Sequence, residues 1–222
     1  MQILTLYEQR PIVEKHKQFA LYHPSAEAVA SMMTDIPYKV LNTLCFNITL
    51  YLMANLRREA GPLFFFLFVA FLSTIVTSSL FRTIASVSRT MSQAMVPAAL
   101  LVLGLIMYTG FTMPTMYMPG WSRWMAYVNP LSYAFEALMV NEFHDRQFSC
   151  SVVIPSGAGY STIGINNQAC AEVGNTLGST MIQGDRYIND KFQYQNSNKW
   201  RYASSPSFGL FHSGWKKILT FH

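Results

Sequence analysis

The chain has 222 residues, 51% hydrophobic and only 12% charged, with a formal net charge of +5, where an ordinary soluble domain carries about 25% charged residues. Its mean hydropathy of +0.20 excludes burial of the whole chain in lipid, so a polar part must offset an apolar one. The basic residues are scattered rather than gathered on one face, which argues against nucleic acid as a partner.

The N-terminal stretch "MQILTLYEQRPIVEKHKQF" is no secretory signal, because its apolar start is too short and Glu8, Arg10, Glu14 and Lys15 follow at once. Its charged residues with a few aromatics suit an amphipathic connector over residues 1–24. "HPSAEAVASMM" then supplies Pro24, a serine cap and Glu27, so a helix should begin near Ser25. That helix, residues 25–56, contains the first apolar span. From Ile36 onward the span carries one charge, Lys39, and is long enough for a ~30 Å hydrocarbon core. Pro37 falls inside it and predicts a kink. The second span, "GPLFFFLFVAFLSTIVTSSLF" from Gly61 to Phe81, is uncharged and predicts a helix over 61–83. The third, "MVPAALLVLGLIMYTGFTM" from Met95 to Met113, is uncharged as well and predicts one over 94–113. A chain of this size could hardly enclose three helices that are apolar on every side, which disfavours a soluble core.

Basic residues give a direction. Arg10, Lys15 and Lys17 precede the first span and Arg82 and Arg89 follow the second, against Arg57 and Arg58 between the first two. The balance favours a cytosolic N-terminus, with everything after Met113 outside. Cys45 lies inside the first span and reads as a small apolar residue. Cys150 and Cys170 fall in the predicted outer region, where a disulfide survives and closing such a loop stabilises by about 3 kcal/mol; two free thiols are the alternative. The sequon Asn47-Ile48-Thr49 lies within a span and should be unused.

Between the third span and that loop, "WSRWMAYV" reads as an interfacial belt of Trp121, Trp124 and Tyr127. Asn129-Pro130 ends one short helix and starts another, "PLSYAFEALMVNEF". Each is too short to cross, so residues 114–143 read as a re-entrant helical hairpin. Glu136 and Glu142 are six apart, about 120° out of phase on a helix, and do not converge as a catalytic pair. No G-x-x-x-x-G-K-S/T phosphate loop is present, and "SGAGYSTIG", residues 156–164, has no strand pattern before it or helix pattern after it. The five histidines are dispersed, and no metal set is expected. Asn42 and Asn47 suit polar glue between helices.

Two stretches carry a family resemblance. "YVNPLSYAFEALMVNEF" after "YTGFTMP" resembles the outer end of the fifth helix and the re-entrant segment of fungal pleiotropic-drug-resistance ABC transporters. "LYEQRPIVEKHKQFALYHPSA" resembles their cytosolic connector between the second and third helices. The likeness runs in order from about Leu4 to Arg201, including "KFQYQNSNKWR", and is greatest to the first of two membrane domains. It implies an all-α, ABC-2 type transmembrane domain fragment: three spanning helices, a re-entrant hairpin, a large extracellular loop over 144–201, and a non-family, disordered tail over 202–222. It implies a multi-pass protein of the plasma membrane that takes part in ATP-driven export of hydrophobic drugs. The missing parts would be a nucleotide-binding domain, which would hold the ATP and magnesium, two earlier helices, a sixth helix and a second membrane half.

The resemblance also implies residue roles. Tyr7, Glu8, Arg10, Glu14 and Lys15 would belong to the coupling helix. Ala99, Leu103, Ile106 and Met107 would line the substrate cavity, with Phe111 and Thr112 at the outer gate. Lys39 matches a basic position near the cytosolic start of its helix; snorkelling to headgroups explains it equally. A second reading is a non-transporting membrane protein whose disulfide-looped outer domain binds partners.

Overall fold

The computed structural model describes residues 2–20, 22–155, 157, 167–176 and 178–200; the expected tail 202–222 and most of the glycine-rich stretch 156–164 lie outside them. The described residues form seven α-helices: α1 (Gln2–Gln18), α2 (Pro24–Met53), α3 (Ala60–Val87), α4 (Met91–Met107), α5 (Arg123–Val128), α6 (Pro130–Phe143) and α7 (Gly184–Phe192). Four short strands follow α6: β1 (Gln147–Ser149) pairs antiparallel with β4 (Met181–Gln183), and β2 (Val153–Ile154) with β3 (Ala169–Cys170). Helix α3 is the hub, packing on α2, α6, α1 and α4.

Among the described residues α3 alone is both long and apolar enough to cross a membrane by length and composition. Its hydroxyls do not spoil this. Ser73, Thr74, Thr77, Ser78, Ser79, Thr83 and Ser86 donate to carbonyls three or four residues back, so each is satisfied within the helix. Helix α4 is apolar but only 17 residues long. Helix α2 runs for 30 residues but includes Asp35, Lys39, Asn42 and Asn47. Its first turn begins at Pro24, one residue before the expected start, because proline suits the N-terminal end of a helix.

Two helix ends differ from the sequence expectation. Helix α3 runs on to Val87, beyond the expected end at residue 83, and Arg82, counted among the basic residues between two spans, is a buried member of the helix. Its charge is tolerated because Asp35 of α2 pairs with it. Helix α4 stops at Met107, short of Met113. Gly110 turns the chain at φ +96°, a conformation that favours glycine. The carbonyl of Leu105, freed at the helix end, takes the Thr109 hydroxyl at 2.6 Å and the Asn129 amide at 2.8 Å.

The buried apolar groups form two clusters that share α6. Val69 of α3 packs on Tyr133, Ala134 and Ala137. On its far part, Val140 packs on Ile188 and Phe192 of α7 and on Tyr194. The helix starts as its sequence suggests, with Asn129 capping through its side-chain oxygen, 3.0 Å from the Leu131 amide, and Pro130 following. By contrast α2 and α4 leave large side chains exposed along their length: Leu41, Phe46, Leu52, Val96 and Leu100 are all more than 60% exposed. Exposed apolar surface on this scale marks contact with lipid or with other protein.

Candidate functional site

Helix α3 has 28 residues and is about 42 Å long at 1.5 Å per residue. Different parts of the molecule close its two ends. At the C-terminal end its last carbonyls have no partner within the helix, and α1 supplies donors. The Tyr7 hydroxyl donates to Ser88 at 3.0 Å and to Ala85 at 3.3 Å. Arg10 donates to the carbonyls of Ser88 and Arg89, each at 3.1 Å, and of Ala85 at 3.4 Å. A cation at a helix C-terminus also meets the negative end of its dipole. The remaining coupling-helix candidates, Glu8, Glu14 and Lys15, are exposed on α1. The expected group thus divides into two residues that grip the end of α3 and three exposed ones, of which Glu14 also borders the cavity between α1, α2 and α3.

One to two turns into α3 from this end, Arg82 pairs with Asp35, which lies 3.8 Å from Lys39, whose ammonium donates to Ser78 at 2.8 Å. Sequence reasoning missed this chain because it counted Arg82 among the basic residues between two spans and read Lys39 as a family position or a snorkelling side chain. The available signal was Asp35 and Lys39 at i, i+4 spacing, which puts both on one face of α2.

The N-terminal end of α3 is closed by α6 and the segment beyond it. Both carboxylate oxygens of Glu142 accept from the Arg57 backbone amide at 3.2 Å, and the same carboxylate pairs with Arg146. Arg57 also donates from its guanidinium to the His144 carbonyl at 3.2 Å and pairs with Glu59 at 2.9 Å. Asn141 donates to the Pro62 carbonyl at 3.1 Å. Glu136 instead accepts from Asn198 at 3.1 Å, so the two glutamates of this helix serve separate contacts, as their spacing implied.

His144 is fixed on both nitrogens, by Asp185 at 2.9 Å and by Asn196 at 3.0 Å. With Nδ1 facing the Asp185 carboxylate and Nε2 facing the Asn196 amide nitrogen, the Nδ1–H tautomer satisfies both contacts. Burial raises the Asp185 pKa, but the bonds from His144 and from the Asp145 amide outweigh it and hold the carboxyl below its ordinary value. His144, Asp145 and Asp185 bring their ligand atoms within 4.8 Å of one another, a clustering that dispersed histidines in the sequence did not suggest.

Cys150 and Cys170 are joined as a disulfide, with Cα atoms 5.8 Å apart, so the free-thiol alternative falls. The bridge staples the β2–β3 pair to the strand leaving α6. Gly184 follows β4 so closely under α6 that a Cβ would run into the Phe143 carbonyl. Tyr194 reaches back to Gly110, where a Cβ would stand 2.8 Å from its hydroxyl oxygen. Burial, and secondarily Glu136, push that hydroxyl's pKa up. Lys199 lies over the Phe65 ring at 4.6 Å and Trp200 meets the same ring edge-on. Burial, and then Arg57, lower the Lys199 pKa.

Between the two ends runs α4. Ala99, Leu103, Ile106 and Met107 are all exposed and fall at helical spacing on one open apolar face. Phe111 is exposed beyond the turn at Gly110 and meets Phe135 edge-on at 5.9 Å, while Thr112 is exposed beside it. The opposite face of α4, with Leu101, Gly104, Leu105 and Tyr108, lines an apolar groove of about 370 Å³ against α3, α5 and the start of α6. The expected cavity residues thus do not line that groove.

Two families of known proteins match the chain. Residues 1–143 match the ABC-2 type transporter family and residues 154–205 the CDR ABC transporter family. The chain is 56% identical over 203 residues to ABC multidrug transporter C of Aspergillus fumigatus, covering 90% of this chain and 14% of that protein. It is 55% identical over 201 residues to ABC multidrug transporter AFR2 of Cryptococcus neoformans, covering 90% of this chain and 13% of that one. It is 54% identical over 201 residues to ABC-type transporter oblD of Aspergillus clavatus, covering 90% and 14%. The chain therefore spans about a seventh of the length of these relatives.

Proposed function

The chain belongs to the ABC-2 type transporter family, and on that footing we propose that it forms part of the first membrane domain of an ATP-driven exporter of hydrophobic molecules in the plasma membrane. In this reading α2, α3 and α4, the last continued by the bends to Met113, cross the bilayer. Helices α5 and α6 are the re-entrant hairpin, and residues 144–201 are the extracellular loop. The observation that carries it is the placement of α1 and the disulfide-bonded region at opposite ends of a helix about 42 Å long. A disulfide belongs to an oxidising compartment, which supports an outer position for its end and a cytosolic one for α1.

Each part then has work to do. Glu8 and Lys15 face a nucleotide-binding domain, which would bind the ATP and magnesium, while Glu14 of the same helix borders the cavity between α1, α2 and α3. Tyr7 and Arg10 carry its movement into the carbonyls at the end of α3. Because α3 is tied to α2 by the Asp35–Arg82–Lys39 chain, the two helices move together. The open face at Ala99, Leu103, Ile106 and Met107 offers apolar surface to a bulky hydrophobic substrate facing the second membrane half. Phe111 and Thr112 mark the outer exit. A non-transporting, partner-binding role finds no support in the relatives, all of which are named as transporters.

The test is a chimaera in which residues 4–200 replace the matching stretch of ABC multidrug transporter C. ATP-dependent efflux of a hydrophobic dye should persist, and Leu103→Glu in the chimaera should abolish most of it at unchanged surface expression. Loss of efflux in the unmutated chimaera, again at unchanged surface expression, would contradict the reading.

A further inference from the structure

Arg82 is 7% exposed, and its Nε–H finds no acceptor among the described residues although its Nη2 pairs with Asp35. The side chain lines two neighbouring cavities between α1, α2 and α3, of about 280 and 240 Å³. The wall of the larger is mixed in a definite way: Leu6, Val13 and Met32 are apolar, Lys17 is a cation, and Glu14 and Glu27 are anions. Arg10 also lines it, but its donors are directed to the α3 carbonyls. Arg82 stands five residues before the end of α3 at Val87, about 7.5 Å inside it. On the topology argued above, that depth is where the cytosolic leaflet places its phosphates and glycerol backbones.

We propose that this cavity binds the headgroup of a cytosolic-leaflet phospholipid bearing a phosphodiester and a primary ammonium, of the phosphatidylethanolamine type. A phosphate oxygen accepts from Arg82 Nε–H and lies near the Lys17 ammonium. The lipid ammonium donates to Glu27 and Glu14. The chain ends rest on Leu6, Val13 and Met32. Each alternative headgroup leaves something unmet. A purely anionic lipid sets its charge against both glutamates, a choline headgroup has no N–H to donate to them, and a soluble phosphate leaves the apolar wall uncovered.

The inference rests on α3 crossing the bilayer, so its test is made in detergent, where sidedness has no influence. The chain is purified in micelles, supplied with equal amounts of phosphatidylethanolamine, phosphatidylcholine and phosphatidylglycerol, and retained lipid is counted by native mass spectrometry. Phosphatidylethanolamine should be retained about tenfold over the others. Arg82→Lys keeps the charge facing Asp35 but removes the Nε donor, and should erase the preference. Glu27→Gln should erase it too and leaves the Asp35 pair untouched, so it decides the matter even if the Arg82 variant loses its fold. Equal retention of the three lipids, a preference for phosphatidylglycerol, or a preference that survives Glu27→Gln would overturn the proposal. Soluble phosphoethanolamine displacing the lipid at equal concentration would also overturn it, because the apolar contacts would then count for nothing.

Discussion

At its α1 end α3 is held by side chains that reach for backbone carbonyls, Tyr7 and Arg10, and by the charges Asp35, Arg82 and Lys39. At the other end it is held by the apolar cluster of Val69, Tyr133, Ala134 and Ala137, by Glu142 and Asn141, and by a cap closed with a disulfide. Directed bonds to carbonyls are individually weak and break together when α1 shifts, since each net contribution is only about 1 kcal/mol. Packed apolar surface and a covalent bridge give way only with the unfolding of the cap. On the proposed function, the first chemistry suits an end that receives a movement, and the second an end that stays fixed.

The largest expected effect falls at the α1 end. Asp35→Asn leaves the buried Arg82 charge uncompensated, which should cost about 3–5 kcal/mol, and thermal unfolding of the purified chain should shift accordingly. The double change Asp35→Asn with Arg82→Gln should recover most of that loss; if it does not, the pair is not what joins α2 to α3. Next comes the fixed end. Cys150→Ser should destabilise the disulfide-closed cap by about 3 kcal/mol on the chain-entropy account, seen as faster hydrogen exchange over β1 to β4 with α1 unchanged. Faster exchange in α1 as well would mean that the ends are not independent.

Gly110→Ala should cost about 1–3 kcal/mol, because the turn has positive φ and the new methyl group meets the Tyr194 hydroxyl. A further change, Tyr194→Phe, should relieve the clash but not the backbone strain, so unfolding measurements should show partial recovery. Full recovery would deny the strain and none would deny the clash. The smallest effect concerns pH. Asp185 has a depressed pKa in the folded state, so its contribution is present above the unfolded value of about 3.9 and is lost as pH falls through the lower folded value. Opening of the α6–α7 contact, followed by hydrogen exchange, should therefore rise below about pH 4, and Asp185→Asn should flatten that dependence.

Helix-forming segments were readable in the sequence wherever an apolar run, a cap or a proline marked them: the α2 start at Pro24, and α5 and α6 on either side of Asn129-Pro130. The helix ends were not, because they depend on distant partners. Helix α3 carries Arg82 in its interior and runs on to Val87, and the buried charge is neutralised by Asp35, forty-seven residues away. The end of α4 moved back to Met107 because Gly110 turns where Tyr194 closes over it. For the site, the resemblance placed Tyr7 and Arg10 on the connector, but only the fold shows that both grip carbonyls of α3. Ala99, Leu103, Ile106 and Met107, expected to line a substrate cavity, lie together on an exposed apolar face of α4 and outside the groove that α4 forms with α3. The contacts of His144 with Asp185 and Asn196 had no local signal, since all three partners come from separate segments.

The central claim is that the two ends of α3 lie on opposite sides of one membrane. It is tested most directly by labelling single introduced cysteines in intact cells with a membrane-impermeant maleimide, in a Cys45→Ser background in which Cys150 and Cys170 remain bridged. Ser197→Cys should label in intact cells, and Glu8→Cys only after permeabilisation. Labelling of both in intact cells, or of neither until permeabilisation, would place the two ends on one side and contradict the account.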